Sequence, residues 1–106
     1  MRPELTSSQR ALLRSKGRLL RPDAIVGKSG LAENVLDHVR GHLARRELVK
    51  VRLLDAAADD RRAAAGQIAD ALDAAVVDVV GRAVVLYRPN EALPAKERIA
   101  LPDAGR

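Results

Sequence analysis

The sequence predicts one α/β domain, a four-stranded mixed sheet with helices packed on it. Apolar residues recur at helical spacing in three segments and form short β-branched runs in four others, in the order α-β-α-β-α-β-β. Strands joined through helices favour parallel pairing, whereas strands joined by a two-residue turn pair antiparallel. We therefore assign residues 1–90 to one domain and residues 91–106, which are polar and contain Pro94 and Pro102, to an extended or flexible tail.

The first helix is predicted to begin after Thr6, because Thr6-Ser7-Ser8-Gln9 matches a capping box. It runs to about Lys16 and ends at Gly17, which we interpret as a left-handed C-terminal cap. Leu12 and Leu13 are expected to face the core, with the arginines of this helix pointing outward. After Pro22, the short apolar run 24–26 predicts a buried strand that ends at Gly27.

The middle of the chain alternates between helix and strand. Apolar residues at helical spacing predict a second helix to about Arg46: Leu31, Val35, Leu36, Val39 and Leu43. Residues 48–54 alternate, which predicts a half-exposed strand with Lys50 and Arg52 on its outer face. Asp59 and Asp60 are expected to cap a third helix, whose inner stripe consists of Ala64, Ala65, Ile68 and Leu72. Residues 76–80 and 83–87 then form a hairpin around Gly81-Arg82.

The positive charge is concentrated in the first third of the chain. Residues 1–30 contain seven basic and two acidic groups, whereas residues 31–106 contain twelve of each. A one-sided field of this kind favours a polyanion, most commonly a nucleic acid. There is no cysteine, and no apolar segment long enough to be a signal peptide or to cross a bilayer is visible. We expect a cytoplasmic protein that does not bind a membrane.

The segment Gly27-Lys28-Ser29-Gly30 lies between a predicted strand and a predicted helix. A helix start exposes unpaired N–H groups, and flanking glycines let a phosphate backbone approach closely. Lys28 adds charge and Ser29 a hydroxyl donor, as in the GxxG loop that clamps nucleic-acid backbone. A P-loop is excluded, because that motif needs a glycine where this chain has Pro22. A simple glycine turn remains the alternative.

Other candidate sites are weaker. His38 and His42 share a helix face, but no third metal ligand is evident, so packing at the edge of the core is favoured and we expect no metal or cofactor. No cysteine and no serine with a credible base is available for nucleophilic catalysis. Tyr87 could stack on a base and Arg88 could hold a phosphate. We favour a structural role for Tyr87.

Three stretches resemble the bacterial YhbY proteins, the stand-alone form of the CRM domain (chloroplast RNA splicing and ribosome maturation). They are residues 7–16, residues 25–36 continuing into 47–51, and residues 80–89, so the resemblance spans about residues 5–90. It implies a fold similar to the C-terminal domain of translation initiation factor 3. It also implies RNA binding through the GxxG loop and neighbouring basic surface, and association with the precursor of the large ribosomal subunit.

We therefore expect a non-enzymatic, monomeric RNA-binding protein without a small-molecule substrate, acting on ribosomal RNA of the large-subunit precursor in ribosome assembly. The alternative is an adaptor of the same fold that docks on an acidic protein surface. The expected RNA contacts are Gly27, Lys28, Ser29, Gly30, Arg10, Arg14, Lys16, Arg18, Arg21, Tyr87 and Arg88.

Overall fold

A four-stranded mixed sheet organises the fold, as the sequence predicts. The computed structural model describes residues 2–27, 33–54 and 58–102, with only the backbone described at 58 and 59. The strands are β1 (Ala24–Val26), β2 (Leu48–Leu53), β3 (Ala75–Val80) and β4 (Ala83–Tyr87). They lie in the order β1-β2-β4-β3, with β1 parallel to β2 and β4 antiparallel to both of its neighbours. The helical connections and the hairpin therefore give the two kinds of pairing expected.

Three helices sandwich this sheet: α1 (Ser7–Arg18), α2 (Glu33–Arg46) and α3 (Ala58–Leu72). α2 and α3 cover one face, where Val39, Leu43, Ile68 and Leu72 pack on β-strand residues such as Val51. α1 covers part of the other face and contributes Leu13 to a second cluster, together with Leu48, Val77, Val85 and Tyr87. Both cores are almost entirely aliphatic, so their stability comes from close packing of branched side chains and alanines.

The predicted start of α1 is confirmed, whereas its predicted end at Gly17 is wrong. The Thr6 hydroxyl accepts a hydrogen bond from the Gln9 backbone N–H at 3.2 Å, and Gln9 Oε1 accepts from the Thr6 N–H at 3.0 Å. Gly17 does not cap the helix, which continues to Arg18 with a right-handed C-cap at Leu19. A Cβ at Gly17 would stand 2.9 Å from Val85 Cγ1. Gly17 is therefore needed for close approach of the helix to β4.

The strand β1 is not buried as predicted. It lies at the edge of the sheet, where Val26 is buried but Ile25 is 58% exposed. The run 24–26 is uniformly apolar, so its sequence does not distinguish a central strand from an edge strand. By contrast, β2 is central and shows the predicted alternation, with Val49, Val51 and Leu53 buried on one face.

The third helix and the hairpin follow the predicted pattern. Ala65, Ile68 and Leu72 are buried and Ala64 packs beside them. The helix begins at Ala58, so Asp59 and Asp60 lie in its first turn rather than at the cap position, which lies outside the described residues. Gly81 has a φ of +57°, the left-handed conformation that a two-residue hairpin turn requires.

The segment after the hairpin is packed against the domain, although the sequence indicates a loose tail. A 3₁₀ turn forms at Ala95–Glu97, and Ile99 and Leu101 pack on the second cluster. Glu47, which is fully buried, accepts hydrogen bonds from the backbone N–H groups of Asn90 and Ile99 and from Arg98 Nε. The buried Glu47 carboxylate thus helps to hold the described part of the tail, which extends to residue 102, against α1 and β2.

Within the described ranges, none of the helices combines the length and the apolar character that a transmembrane span needs.

Candidate nucleic-acid interface

The loop that joins β1 to α2 leaves the sheet at the end of its edge strand. The carbonyl of Val26 accepts a hydrogen bond from the Leu54 N–H at 2.9 Å, which ties the beginning of the loop to the end of β2. Gly27 follows Val26, and α2 begins at Glu33. Lys28, Ser29 and Gly30 lie outside the described residues. The described flanks thus place the loop where the parallel strands β1 and β2 both end.

Packing against the described residues does not explain why residue 27 is a glycine. A Cβ placed there meets no atom of those residues within 4 Å, and the backbone is not in the left-handed region. This differs from Gly17, where the sheet leaves no room for a side chain. Without a side chain, Gly27 leaves room at the end of β1 for the backbone of a ligand to approach closely.

The basic residues of α1 do not lie together beside the β1–α2 loop. Arg10 does not point into solvent as predicted. Its Nη1 donates hydrogen bonds to the carbonyls of Val76 and Val77 at 2.5 and 3.1 Å, at the irregularity in β3. Because a β-bulge leaves carbonyls without ladder partners, Arg10 completes the sheet. Arg10 thus has a structural role, which argues against the RNA contact expected from the sequence.

The remaining basic residues of this segment lie on two sides of α1. Arg14 Nε is 3.6 Å from Asp78 Oδ2 on β3, and Arg18 is exposed one turn further along the same helix face. Lys16 lies on the other side, in a groove shared with Arg45 and Arg46 at the end of α2. Arg14 thus lies beside β3, whereas Arg18 and Arg21 are exposed at and after the end of α1.

Tyr87 and Arg88 lie at the end of the sheet opposite the β1–α2 loop, so they do not form one site with it. Tyr87 pairs with Leu48 at the start of β2, whereas the loop follows the strand end that pairs with Leu53. Tyr87 is 3% exposed, so its ring offers no face to a base. Burial, and then the charge of Glu47, raises the pKa of Tyr87. Its role is structural, and stacking on RNA is excluded in this conformation.

Two arginines that the expected site omitted lie at the loop end. Arg52 is exposed on β2 directly beside Ile25, and Arg82 is exposed in the hairpin turn, where its carbonyl accepts from the Leu53 N–H at 2.7 Å. The alternation in residues 48–54 already placed Arg52 on the outer face. The sequence does not reveal the pairing register of the strands. That register brings the end of β2, the hairpin turn and the loop together.

The two histidines of α2 belong to a polar cluster around Asp23. The Asp23 carboxylate accepts from Arg46 Nη2 at 2.5 Å and from the Lys50 N–H at 3.2 Å, which links the start of β1 to α2 and β2. His42 Nε2 is 3.2 Å from His38 Nε2, and desolvation lowers the pKa of His42 although Asp23 opposes the shift. No group of three possible metal ligands occurs among the described residues. The cluster has the geometry of a structural link.

Comparison with known proteins gives a consistent result. The model of the CRS1/YhbY (CRM) domain family matches residues 5–88. Over 90 residues the chain is 40% identical to "Probable RNA-binding protein MJ0652" of Methanocaldococcus jannaschii, covering 83% of this chain and 66% of that protein, just under two thirds of its length. It is 36% identical over 86 residues to "Probable RNA-binding protein PA4753" of Pseudomonas aeruginosa, covering 81% and 83% of the two chains.

A solved structure has the same fold. The solution structure of SAV1595 from Staphylococcus aureus, described as a candidate RNA-binding protein, superposes with a TM-score of 0.79 at 34% identity. The match covers 93% of this chain and all of that one.

Proposed function

Because this chain belongs to the CRS1/YhbY (CRM) domain family, we propose that it is an RNA-binding protein and not an enzyme. The observation that carries the proposal is the placement of charge. Exposed Arg52 and Arg82 lie at the end of the sheet from which the β1–α2 loop departs, and the exposed Arg18 and Arg21 lie in the segment that leads from α1 to β1. A positive surface next to a glycine-flanked loop suits a phosphate backbone.

In this proposal, two kinds of contact contribute to the free energy of RNA binding. Lys28 and the N–H groups at the start of α2 hold phosphate at one point, as the order strand, GxxG loop and helix favours. The exposed arginines add contacts whose strength depends on salt, because each phosphate neutralised releases counterions. Arg10 and Tyr87 contribute only by holding α1 and β4 in place.

The target that we propose is ribosomal RNA of the large-subunit precursor, bound in the cytoplasm by a monomer during ribosome assembly. The resemblance to the bacterial YhbY proteins supports this choice. The names of the relatives support RNA as the class of ligand without specifying which RNA.

The loop is tested by reversing its charge. Lys28→Glu should weaken RNA affinity about tenfold at about 0.15 M salt and lower the salt slope by about one, while the melting temperature stays unchanged. The matched control is Arg62→Glu, which makes the same change of charge at an exposed position on α3, the helix on the covered face. We expect that variant to change affinity by less than about twofold.

Binding is measured by fluorescence anisotropy across a salt series, with thermal unfolding in parallel. Unaltered affinity of the Lys28→Glu protein at moderate salt would contradict the loop assignment. Equal losses in both variants would indicate a diffuse charge effect and would contradict it as well.

The cellular target is tested by crosslinking in cells and sequencing of the attached RNA, with sucrose-gradient sedimentation alongside. We expect crosslinks in large-subunit ribosomal RNA and comigration with its precursor particle that is lost on nuclease treatment. Comigration that survives nuclease but is lost on addition of an acidic competitor protein would favour a protein adaptor instead.

A further inference from the structure

One rung of the sheet crosses all four strands on the face that α1 covers only in part. Ile25 of β1 pairs with Arg52 of β2, Arg52 pairs with Ala83 of β4, and Ala83 pairs with Val80 of β3. Directly paired residues project from the same face of a sheet. We call Ile25, Arg52, Ala83 and Val80 the open row.

The open row lies on the α1 side of the sheet but beyond the helix. Arg52 alternates with Val51 and Leu53, which are buried beneath α2 and α3, so it points to the opposite face. On that face α1 covers Val85 and Leu48 and leaves the loop end uncovered. Ile25 is 58% exposed and Val80 is 60% exposed.

This exposure is unusual within the protein. Among the described residues, Leu19 is the one other large apolar side chain that is more than half exposed. Scattered apolar residues need no explanation, but two on one rung on either side of an arginine form a shared surface. The fold gains nothing from leaving β-branched side chains in water.

The charge of this surface favours an anionic partner. Arg52 is in the row, Arg82 lies in the turn that joins Val80 to Ala83, and Arg14 borders the row from α1. Asp78 is the one acidic residue in the four strands, all of which are described, and it is paired with Arg14 at 3.6 Å. The row is therefore apolar at Ile25 and Val80, with the cationic side chain of Arg52 between them.

The row also continues into the loop. Ile25 stands two residues before Gly27, which follows the last residue of β1, a separation of about 7 Å along the chain if the backbone stays extended. A strand of nucleic acid whose phosphate is held at the loop therefore has neighbouring bases within reach of the row.

We propose that the open row is a platform for unpaired bases of single-stranded RNA whose backbone is held at the β1–α2 loop. This inference rests on the proposed RNA binding and names the form of RNA that the site takes. Sheet surfaces that bind single strands commonly stack bases on aromatic rings, but the one aromatic residue here, Tyr87, is buried. The guanidinium plane of Arg52 takes that role, with Ile25 and Val80 in contact with the base faces.

The test separates stacking from charge at Arg52. Arg52→Lys keeps the positive charge and removes the plane, and Ile25→Thr with Val80→Thr keeps β-branched side chains while replacing apolar groups with polar ones. The probes are an unstructured RNA strand of about twelve nucleotides, within the usual length of such sites, and the same strand in a perfect duplex. Arg62→Lys on α3 is the control.

We expect Arg52→Lys and the double variant each to weaken binding of the single strand about tenfold, which corresponds to about 1.4 kcal/mol. Duplex affinity and the control should change by less than about twofold, and the salt slope should stay the same. A fluorescent base analogue in the single strand, measured with the protein saturated, should be quenched by the wild type and less by both row variants. Melting temperatures should remain those of the wild type, because the replaced side chains are exposed.

The outcomes distinguish this inference from the proposed function. A wild-type protein that binds neither probe would refute RNA binding itself. Wild-type binding with row variants that hold the single strand equally well would leave RNA binding intact and overturn the platform. Equal weakening of strand and duplex by Arg52→Lys would show a phosphate contact, which also overturns it.

Discussion

The two ends of the sheet face on the α1 side have the same strands beneath them but different coverings. At the closed end, Leu48 and Tyr87 lie under α1 and the returning tail residues Ile99 and Leu101. At the other end, the open row has no helix or described tail segment over it, and Ile25 and Val80 remain more than half exposed. The comparison shows that equally apolar strand residues stabilise the fold at one end and leave a free surface at the other.

Charge differs between the two ends in the same way. Glu47 at the closed end is fully buried, has a φ of +64°, and is hydrogen-bonded to Asn90, Arg98 and Ile99. Arg52 at the open end is exposed to solvent. A buried, satisfied carboxylate fixes the chain, whereas an exposed guanidinium is available to a ligand. Substitutions at the closed end should therefore change stability, and those at the open end should change binding.

The largest effect is expected at Glu47. Glu47→Ala removes the buried acceptor for two partly buried backbone N–H groups and for Arg98, so we expect the free energy of unfolding to fall by about 3 kcal/mol. Alanine is preferred to glycine, because glycine would also relieve the cost of the positive φ. Urea denaturation measures the change, with Glu91→Ala in the exposed part of the tail as the control. A loss below about 1 kcal/mol would mean that the tail does not depend on this carboxylate.

An intermediate effect is expected from two glycines in helices. Gly17→Ala should destabilise the protein by about 1–2 kcal/mol, because the new methyl group meets the stiff side chain of Val85 at 2.9 Å. Gly66→Ala should instead stabilise it by up to about 1 kcal/mol, because a Cβ there meets no atom of the described residues within 4 Å and alanine is the better helix former. Thermal unfolding of both proteins tests the pair. Stabilisation by Gly17→Ala would contradict the close packing of α1 on β4, and destabilisation by Gly66→Ala would contradict the free space at Gly66.

The smallest effect concerns Tyr87 and pH. Burial raises the pKa of Tyr87 above its usual value of 10.0, so the unfolded chain loses this proton at a lower pH than the folded protein. The tyrosine therefore makes the free energy of unfolding fall as pH rises above about 10, with no effect at neutral pH. Tyr87→Phe should show a shallower fall between about pH 9 and pH 11 by urea denaturation. RNA affinity at neutral pH should be unchanged, and a loss there would restore Tyr87 to the binding surface.

Local patterns predicted the elements of this fold and the position of the loop. The capping box at Thr6, the helical spacing of Val39 and Leu43, and the turn at Gly81 depend on residues close together in the chain, so they can be recognised without the fold. The alternation in β2 gave both the buried face and the outward position of Arg52. The mixed sheet followed from the order of these elements.

The tertiary structure decided what depends on residues distant in sequence. Residue 17 must be a glycine because Val85 packs against it. Arg10 donates hydrogen bonds to carbonyls at the irregularity in β3, and Glu47 accepts hydrogen bonds that hold the tail against the domain. Each role is set by a partner at least 43 residues away, and local periodicity carries no information about such partners. The sequence by itself determined a basic first third and a glycine-flanked loop. Only the pairing register, which no single strand encodes, assembled Ile25, Arg52, Ala83 and Val80 into one surface beside that loop.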